Sequence, residues 1–204
     1  MVMHMEGWLP RHRITVDEYY RMAEVGLLAH DARVELIEGE IIDMAPIGSR
    51  HAAAVAWLNQ RLQSTVGARA ITWVQNPIRL SKSSEPQPDV ALLKHREDFY
   101  AVQHPTPLDT LLIVEVSGTR EKGSDLFSGS RSENKSDPFS PVPLYARHGV
   151  PEIWIVDLED RRVHFFRAPA GGAYADVYSV SEPAQVEVAA LAGCAVDLSG
   201  LFGK

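Results

Sequence analysis

Two acidic residues lie where a divalent cation could be held. Asp89 begins the apolar run DVALL, directly after Gln87 and Pro88, and Glu115 lies inside the apolar run LLIVEVS. Two strands can bring such carboxylates together, and hard cations such as Mg²⁺ or Mn²⁺ prefer oxygen ligands. An ion held there would polarise a phosphodiester and activate a water molecule. A structural alternative stays open, in which Asp89 caps a turn and Glu115 forms a buried ion pair with an arginine.

The elements that position these acids follow from the hydrophobic pattern. Thr15 and Glu18 form a capping box that opens TVDEYYRMAEVGLL and predicts a helix. A second helix is predicted over SRHAAAVAWLNQRLQSTVG, with Ser49 as its N-cap. Between the two helices, RVELIEGEIIDM predicts a hairpin that turns at Glu38 and Gly39.

Five further segments have the character of strands: AITWVQNPIRL, DVALL, LLIVEVS, EIWIVDL and RRVHFF. LLIVEV and EIWIVDL are almost wholly apolar, as expected of strands covered on both faces. Asp160 and Arg161 predict a hairpin between the last two segments, and GGAYADVYSV predicts one more strand. We therefore expect a single α/β domain over residues 1–204, with a mixed central sheet flanked by helices.

Composition narrows the functional classes. The net charge of −7 argues against a basic coat for non-specific nucleic-acid binding, but it does not exclude DNA, because a bound metal changes the local charge. The lone Cys194 excludes a disulfide framework and a cysteine-based zinc cluster. Neither a signal peptide nor a membrane-spanning run of roughly 20 apolar residues is recognisable, so we expect a cytoplasmic protein without membrane contact.

Several motifs, taken together and in order, resemble one protein family. RVELIEGEIIDM, QPDVALL, LLIVEVS and LYARHGVPEIWIVDLEDRRV are similar to segments of the Uma-type restriction endonucleases, within the PD-(D/E)xK nuclease superfamily. The similarity runs from about Thr15 to Phe166. It implies a restriction-endonuclease-like core and Mg²⁺-dependent cleavage of DNA.

The resemblance also implies roles for single residues. Asp89 matches the aspartate of the family's PD motif and Glu115 matches the second acid, which implies that both are metal ligands. Glu35 matches a further acid that would complete or support the metal shell; the alternative is a polar-face residue of a hairpin strand. His51 matches a histidine at a helix start, where it would contact phosphate or orient a carboxylate, or else lie at the surface. Gln87 neighbours this site.

The lysine of the superfamily is missing from its expected positions. Its ammonium group would hold the attacking water and stabilise charge on the phosphate. The position two residues after the second acid is Ser117, and the position one turn before Tyr145, where the related sequences carry the lysine, is Pro141. Lys122 and Lys135 are candidates to replace it, but a loop positions a charge poorly.

A near-repeat occupies the segment where this lysine would lie. EKGSDLFS begins at residue 121 and ENKSDPFS begins at residue 133, with five of the eight positions identical. The segment is rich in Ser, Gly, Asp and Lys and predicts a solvated, inserted loop at 118–141. We hypothesise that a repeated nucleotide element was inserted into the gene in frame; codons without a direct or inverted repeat would contradict this origin.

Three functional hypotheses follow. The first is a metal-dependent endonuclease that hydrolyses DNA phosphodiester bonds, and the second is a protein of the same fold that no longer cleaves and keeps a DNA-binding or oligomerising role. The third is a protein-interaction domain whose acids are structural. Arg50, Arg79 and Arg96 are candidates for nucleic-acid contact, and a homodimer would suit the cutting of both strands of a duplex.

Overall fold

The computed structural model of this chain describes residues 11–29, 31–118 and 141–203. The helices and strands, in chain order, are α1 (Val16–Glu24), β1 (Val34–Ile37), β2 (Glu40–Asp43), α2 (Ser49–Val66), β3 (Ala70–Val74), β4 (Val90–Lys94), β5 (Thr110–Ser117), α3 (Pro141–Arg147), β6 (Glu152–Asp157), β7 (Arg162–Ala170), β8 (Ala173–Ser181), β9 (Gln185–Glu187) and β10 (Ala195–Asp197). The predicted insertion lies outside the described residues except at its two ends, and so do Lys122 and Lys135.

A six-stranded sheet in the order β3-β4-β5-β6-β7-β8 forms the centre of the fold. β5 and β6 are parallel, whereas the other neighbouring strands are antiparallel. Parallel neighbours need a crossover connection, and α3 lies in the connection between β5 and β6. The mixed α/β sheet predicted from the sequence is confirmed.

Alternate residues of the central strands enter two different cores, because successive side chains of a strand point to opposite faces. On one face, Val114 and Trp154 belong to a buried cluster with Leu58 and Leu62 of α2. On the other face, a second cluster joins the central strands to α3, with Ile113, Ile155, Leu144 and Tyr145 among its members. Covering both faces explains why the two central runs are almost wholly apolar.

Local details confirm some predictions and correct others. The capping box of Thr15 and Glu18 is present at the start of α1. The prediction of Ser49 as N-cap is wrong by one position, since Ser49 is the first helical residue and Gly48 is the N-cap, with no side-chain hydrogen bond. The strand predicted over AITWVQNPIRL ends at Val74, because Gln75 adopts a left-handed φ of 49°.

The chain after β8 returns to the core. β9 and β10 form a two-stranded antiparallel sheet, and Val186 and Val196 from these strands are buried in the cluster that contains α2.

Among the described residues, no helix has both the length and the apolar character needed to cross a membrane.

A buried carboxylate connects this terminal segment to the central sheet. Glu152 is fully buried, and its Oε1 accepts hydrogen bonds of 2.7 Å from Trp154 Nε1 and from Arg167 Nε. Its Oε2 accepts a hydrogen bond of 2.7 Å from the backbone N–H of Ala189. The carboxylate therefore holds β6, β7 and the segment after β9 together.

We expect Glu152→Ala to lower the free energy of unfolding by about 3–5 kcal/mol, because it leaves the charge of Arg167 without its partner in a partly buried site. Urea denaturation measures this loss. Glu187→Ala is the matched control, since it removes an exposed carboxylate from β9. A loss for Glu152→Ala no greater than that of the control would contradict the role given to this network.

Candidate active site

The ends of three neighbouring strands bring Gln75, Asp89 and Glu115 side by side. Val90 of β4 pairs with Val74 of β3 and with Val114 of β5. Asp89, which precedes Val90, therefore lies beside Gln75 and Glu115, which follow Val74 and Val114. The backbone N–H of Asp89 donates to Glu115 Oε2 at 3.3 Å, and Gln75 Nε2 donates to Asp89 Oδ1 at 3.3 Å. The two acids expected to form a pair are therefore adjacent.

The Asp89 carboxylate is held from two further directions. Its Oδ2 accepts a hydrogen bond of 2.9 Å from the backbone N–H of Val116 and lies 2.9 Å from Nε2 of His51. The side chain of Asp89 is 14% exposed and that of His51 is 18% exposed. Oδ2 of Asp89 therefore ties this residue to β5 through the N–H of Val116. Among the described residues, the other oxygen, Oδ1, accepts only the longer hydrogen bond from Gln75.

Glu115 lies on the α3 side of the sheet, and its Oε1 accepts a hydrogen bond of 2.8 Å from the hydroxyl of Tyr145. The alternative of an ion pair between Glu115 and an arginine is wrong within the described residues, where no lysine or arginine forms an ion pair with this carboxylate. Its charge is therefore balanced by hydrogen bonds rather than by a basic side chain in this part of the chain.

Glu35 approaches the pair from the β1–β2 hairpin. Its Oε2 accepts a hydrogen bond of 3.1 Å from the backbone N–H of Gln87, and Gln87 Nε2 donates to the carbonyl of Val34 at 3.1 Å. An isolated bridge between Leu36 and Glu85 fixes the hairpin against the segment that leads into β4. Gln87 therefore contacts the site through β1 rather than through the acid pair.

Burial, together with the charge of a neighbouring carboxylate, raises the pKa values of two acids of the site. Burial, and secondarily the charge of Asp89, holds the pKa of Glu115 well above its ordinary value. Burial also raises the pKa of Glu35, with a smaller contribution from Asp89. Desolvation and like charge both disfavour the ionised forms. A cation bound between these acids would remove that penalty.

His51 and Asp89 form an acid–base pair at the start of α2. The hydrogen bond to Asp89 raises the pKa of His51, although burial opposes this effect. The charge of Arg33 also lowers the pKa of His51, so Arg33 lies close enough for its field to reach the imidazole. The imidazole of His51 therefore contacts the Asp89 carboxylate, and its role in orienting that carboxylate stays a prediction.

Removal of this imidazole should change how stability depends on pH. The protonated His51 stabilises the folded state fully below the pKa of the unfolded chain, about 6.5, and this contribution is lost as the pH rises through the higher folded pKa. The unfolding free energy of the wild type minus that of His51→Gln should therefore be larger at about pH 5.5 than at about pH 9. Urea denaturation in the presence of EDTA measures this difference in unfolding free energy at each pH. In an Asp89→Asn background, the effect of His51→Gln should be the same at both pH values. An equal difference at both pH values in the wild-type background would contradict the pair.

Two residues of the site were missed by the sequence analysis. Gln75 was assigned to a longer strand, yet its N–H donates to the carbonyls of Pro88 at 3.1 Å and Asp89 at 3.2 Å in its left-handed conformation. This conformation ends the strand at Val74 and places Gln75 beside Asp89. Tyr145 served in the sequence analysis only as a reference point for the position of the missing lysine. Its contact with Glu115 joins α3 to β5 across 30 residues of sequence, so no local pattern reveals it.

The three arginines proposed for nucleic-acid contact all form bonds within the protein. Arg79 pairs with the buried Glu85 at 2.8 Å, and Arg96 pairs with Asp98 at 2.6 Å. Arg50 donates to the carbonyl of Leu158 at 3.1 Å. Of the three, Arg50 is the one next to a site residue in sequence, since it precedes His51 on α2.

A mixed sheet flanked by helices, with paired acids at the ends of adjacent strands, defines a restriction-endonuclease-like fold. A solved structure shares this fold, a "putative nuclease belonging to DUF820" from Anabaena variabilis ATCC 29413, with a TM-score of 0.67 and 18% sequence identity over 93% of this chain and 97% of that chain. A family model described as "Uma2: Putative restriction endonuclease" matches residues 16–199. The chain therefore belongs to the Uma2 family, and the resemblance inferred from the motifs is confirmed. No curated protein matches it.

The donor set of the site suits a magnesium-type ion. Within the described residues, no group of three or more His, Cys, Asp or Glu side chains is arranged to hold a metal. Mg²⁺ does not need such a cage, since it keeps several waters and is commonly bound by one or two carboxylates together with substrate phosphates. The adjacent carboxylates of Asp89 and Glu115 supply the hard oxygen ligands that this mode of binding requires.

Proposed function

We propose that this protein is a metal-dependent endonuclease that hydrolyses DNA phosphodiester bonds. The observation that carries the proposal is the contact between Asp89 and Glu115 at adjoining ends of β4 and β5, where the Asp89 N–H lies 3.3 Å from Glu115 Oε2. Membership of a family described as restriction endonucleases supports the reaction class. Within the described residues, Glu35 and Glu115 form no ion pair with a lysine or arginine, and this supports the need for a cation.

In this proposal Asp89 and Glu115 hold Mg²⁺ or Mn²⁺, and Glu35 supports the ligand shell from β1. When bound, the ion supplies polarisation of the phosphodiester and a water of lowered pKa. His51 holds Oδ2 of Asp89 and keeps the other oxygen, Oδ1, available on the ligand side. Gln75, which bonds to that oxygen in the structure, would release it to the ion.

Contacts with DNA are proposed for the surface around the start of α2. Arg50 is exposed beside His51, and the charge of Arg33 acts on the same imidazole. Phosphate groups are attracted by such side chains and by the free N–H groups of a helix N-terminus. A homodimer in the cytoplasm would place two such sites on the two strands of a duplex.

A second candidate is a nuclease-fold protein that binds DNA or oligomerises without cleaving. It is favoured by Ser117 and Pro141, which occupy the two positions expected for the lysine. Pro141 is the first residue of α3, where proline is tolerated but supplies no charge. In this candidate the carboxylates keep their affinity for metal, and the stabilisation of negative charge on the phosphate is lost.

Cleavage of supercoiled plasmid in Mg²⁺ and in Mn²⁺ separates the two candidates. The wild type should nick the plasmid, and Asp89→Asn should reduce the rate by more than about 100-fold, since loss of a ligand should exceed the roughly 10–100-fold effect of losing a partner that orients one. Asn keeps the size of the side chain, and Asp176→Asn is a control on the exposed β8 strand.

The outcomes are distinct. Nicking that needs metal and disappears in Asp89→Asn, but persists in Asp176→Asn, establishes the nuclease. Equal nicking by the wild type and Asp89→Asn would reject the site, whereas no nicking by any of them would favour the second candidate. In the last case, replacement of residues 118–141 with a lysine-bearing segment of the family type should create cleavage.

A further inference from the structure

Tyr145 is buried, 1% exposed, on the second turn of α3. Its ring belongs to the core cluster between α3 and the sheet, and its backbone carbonyl accepts a hydrogen bond of 3.1 Å from the N–H of Val150. Packing around the ring and this backbone bond leave the hydroxyl a narrow range of positions. That hydroxyl donates to Glu115 Oε1 at 2.8 Å.

We propose that Tyr145 is a positioning residue for the metal site: its hydroxyl fixes Oε1 of Glu115, so that Oε2 is directed towards Asp89 as the ligand oxygen. The inference rests on the proposed function and adds to it a residue of α3. Among the described residues, Oε2 of Glu115 carries only the longer, 3.3 Å bond from the Asp89 N–H. The two oxygens of this carboxylate are therefore distinct before any ion is bound.

A tyrosine suits this task better than a basic residue would. A lysine or arginine in contact with Glu115 would neutralise the carboxylate and compete with a cation for it. A neutral hydroxyl orients the same carboxylate and leaves its negative charge available. The ordinary pKa of a tyrosine hydroxyl, about 10, keeps this group protonated and able to donate at neutral pH.

The same contact makes the site depend on where α3 is placed. α3 follows the near-repeat directly, beginning at Pro141, and Leu144, Tyr145 and Ala146 are its buried residues. A change in the packing of this short helix would move the hydroxyl of Tyr145 relative to Glu115. α3 thus contributes to the site through Tyr145 even though the position expected for lysine, one turn earlier, is proline.

Tyr145→Phe tests the inference by removal of one hydroxyl, with Tyr174→Phe as the matched control. Tyr174 is also buried and donates a hydrogen bond of 2.8 Å, but to the carbonyl of Val150 rather than to a carboxylate. Binding of Mn²⁺ is measured by calorimetry or electron paramagnetic resonance, without DNA. Tyr145→Phe should weaken Mn²⁺ affinity by roughly 10–100-fold, the usual effect of losing an orienting partner, while Tyr174→Phe stays within about 3-fold of the wild type.

A second measurement separates positioning from general loss of structure. In a Glu115→Gln background, Tyr145→Phe should cause no further loss of Mn²⁺ affinity, because the two changes act on one contact. Thermal unfolding of each variant reports whether the fold is intact. Equal affinities for Tyr145→Phe and Tyr174→Phe, or additive losses in the double variant, would overturn the positioning role.

Asp89→Asn, included in the same titration, distinguishes this inference from the proposed function. If Asp89→Asn binds Mn²⁺ as tightly as the wild type, the carboxylate pair is not the metal site and both proposals fall. If Asp89→Asn loses binding while Tyr145→Phe retains it, the metal site stands and the role of Tyr145 is rejected.

Discussion

The site depends on the reciprocal hydrogen bonds between the ends of β4 and β5. Asp89 donates its N–H to Glu115, and the carboxylate of Asp89 accepts the N–H of Val116 in return. These bonds exist only in the register that pairs Val90 with Val114. A slip by one residue would turn one acid to the opposite face of the sheet and bury it against α2. The apolar residues on both faces of β4 and β5 prevent that slip, so the core fixes the geometry of the acids.

The grouping of acids in a partly buried place carries a free-energy cost, visible in the raised pKa values of Glu35 and Glu115. Several donors offset part of this cost: the hydroxyl of Tyr145, the imidazole of His51 and backbone N–H groups. The left-handed backbone of Gln75 adds local strain at the same edge. A cation between the acids would offset the rest of this cost, which is the reason for the metal site proposed above.

This member of the Uma2 family has two adjacent acids, Asp89 and Glu115, and a near-repeat in the sequence that follows Glu115. His51 of α2 bonds to Asp89 and Tyr145 of α3 bonds to Glu115, so each of the two adjacent acids is held by a different flanking helix. The positions expected for the lysine hold Ser117 and Pro141, and the near-repeat lies between them. The proposed chemistry therefore has two parts: oxygen ligands, for which Asp89 and Glu115 are the proposed source, and the stabilisation of charge on the phosphate, for which no lysine stands at the expected positions.

The sequence by itself determined the elements whose signals are local. The capping box of Thr15 and Glu18 and the apolar runs of the central strands were readable from neighbouring residues. The ordered motifs indicated the family, and the two acids were candidates for a pair through that resemblance. The predicted N-cap of α2, Ser49, was wrong by one position, since the N-cap is Gly48. A serine before an apolar pattern fits an N-cap and a first helical residue equally well.

Only the tertiary structure decided which groups meet. Gln75 carries no motif, and its role comes from its left-handed backbone and from its place beside Asp89 on the next strand. Tyr145 reaches Glu115 from α3, the helix within the crossover connection that follows β5, and Glu35 joins the cluster through Gln87. Such contacts depend on strand register and helix packing over long sequence separations, whereas the sequence signals used here report on neighbours along the chain.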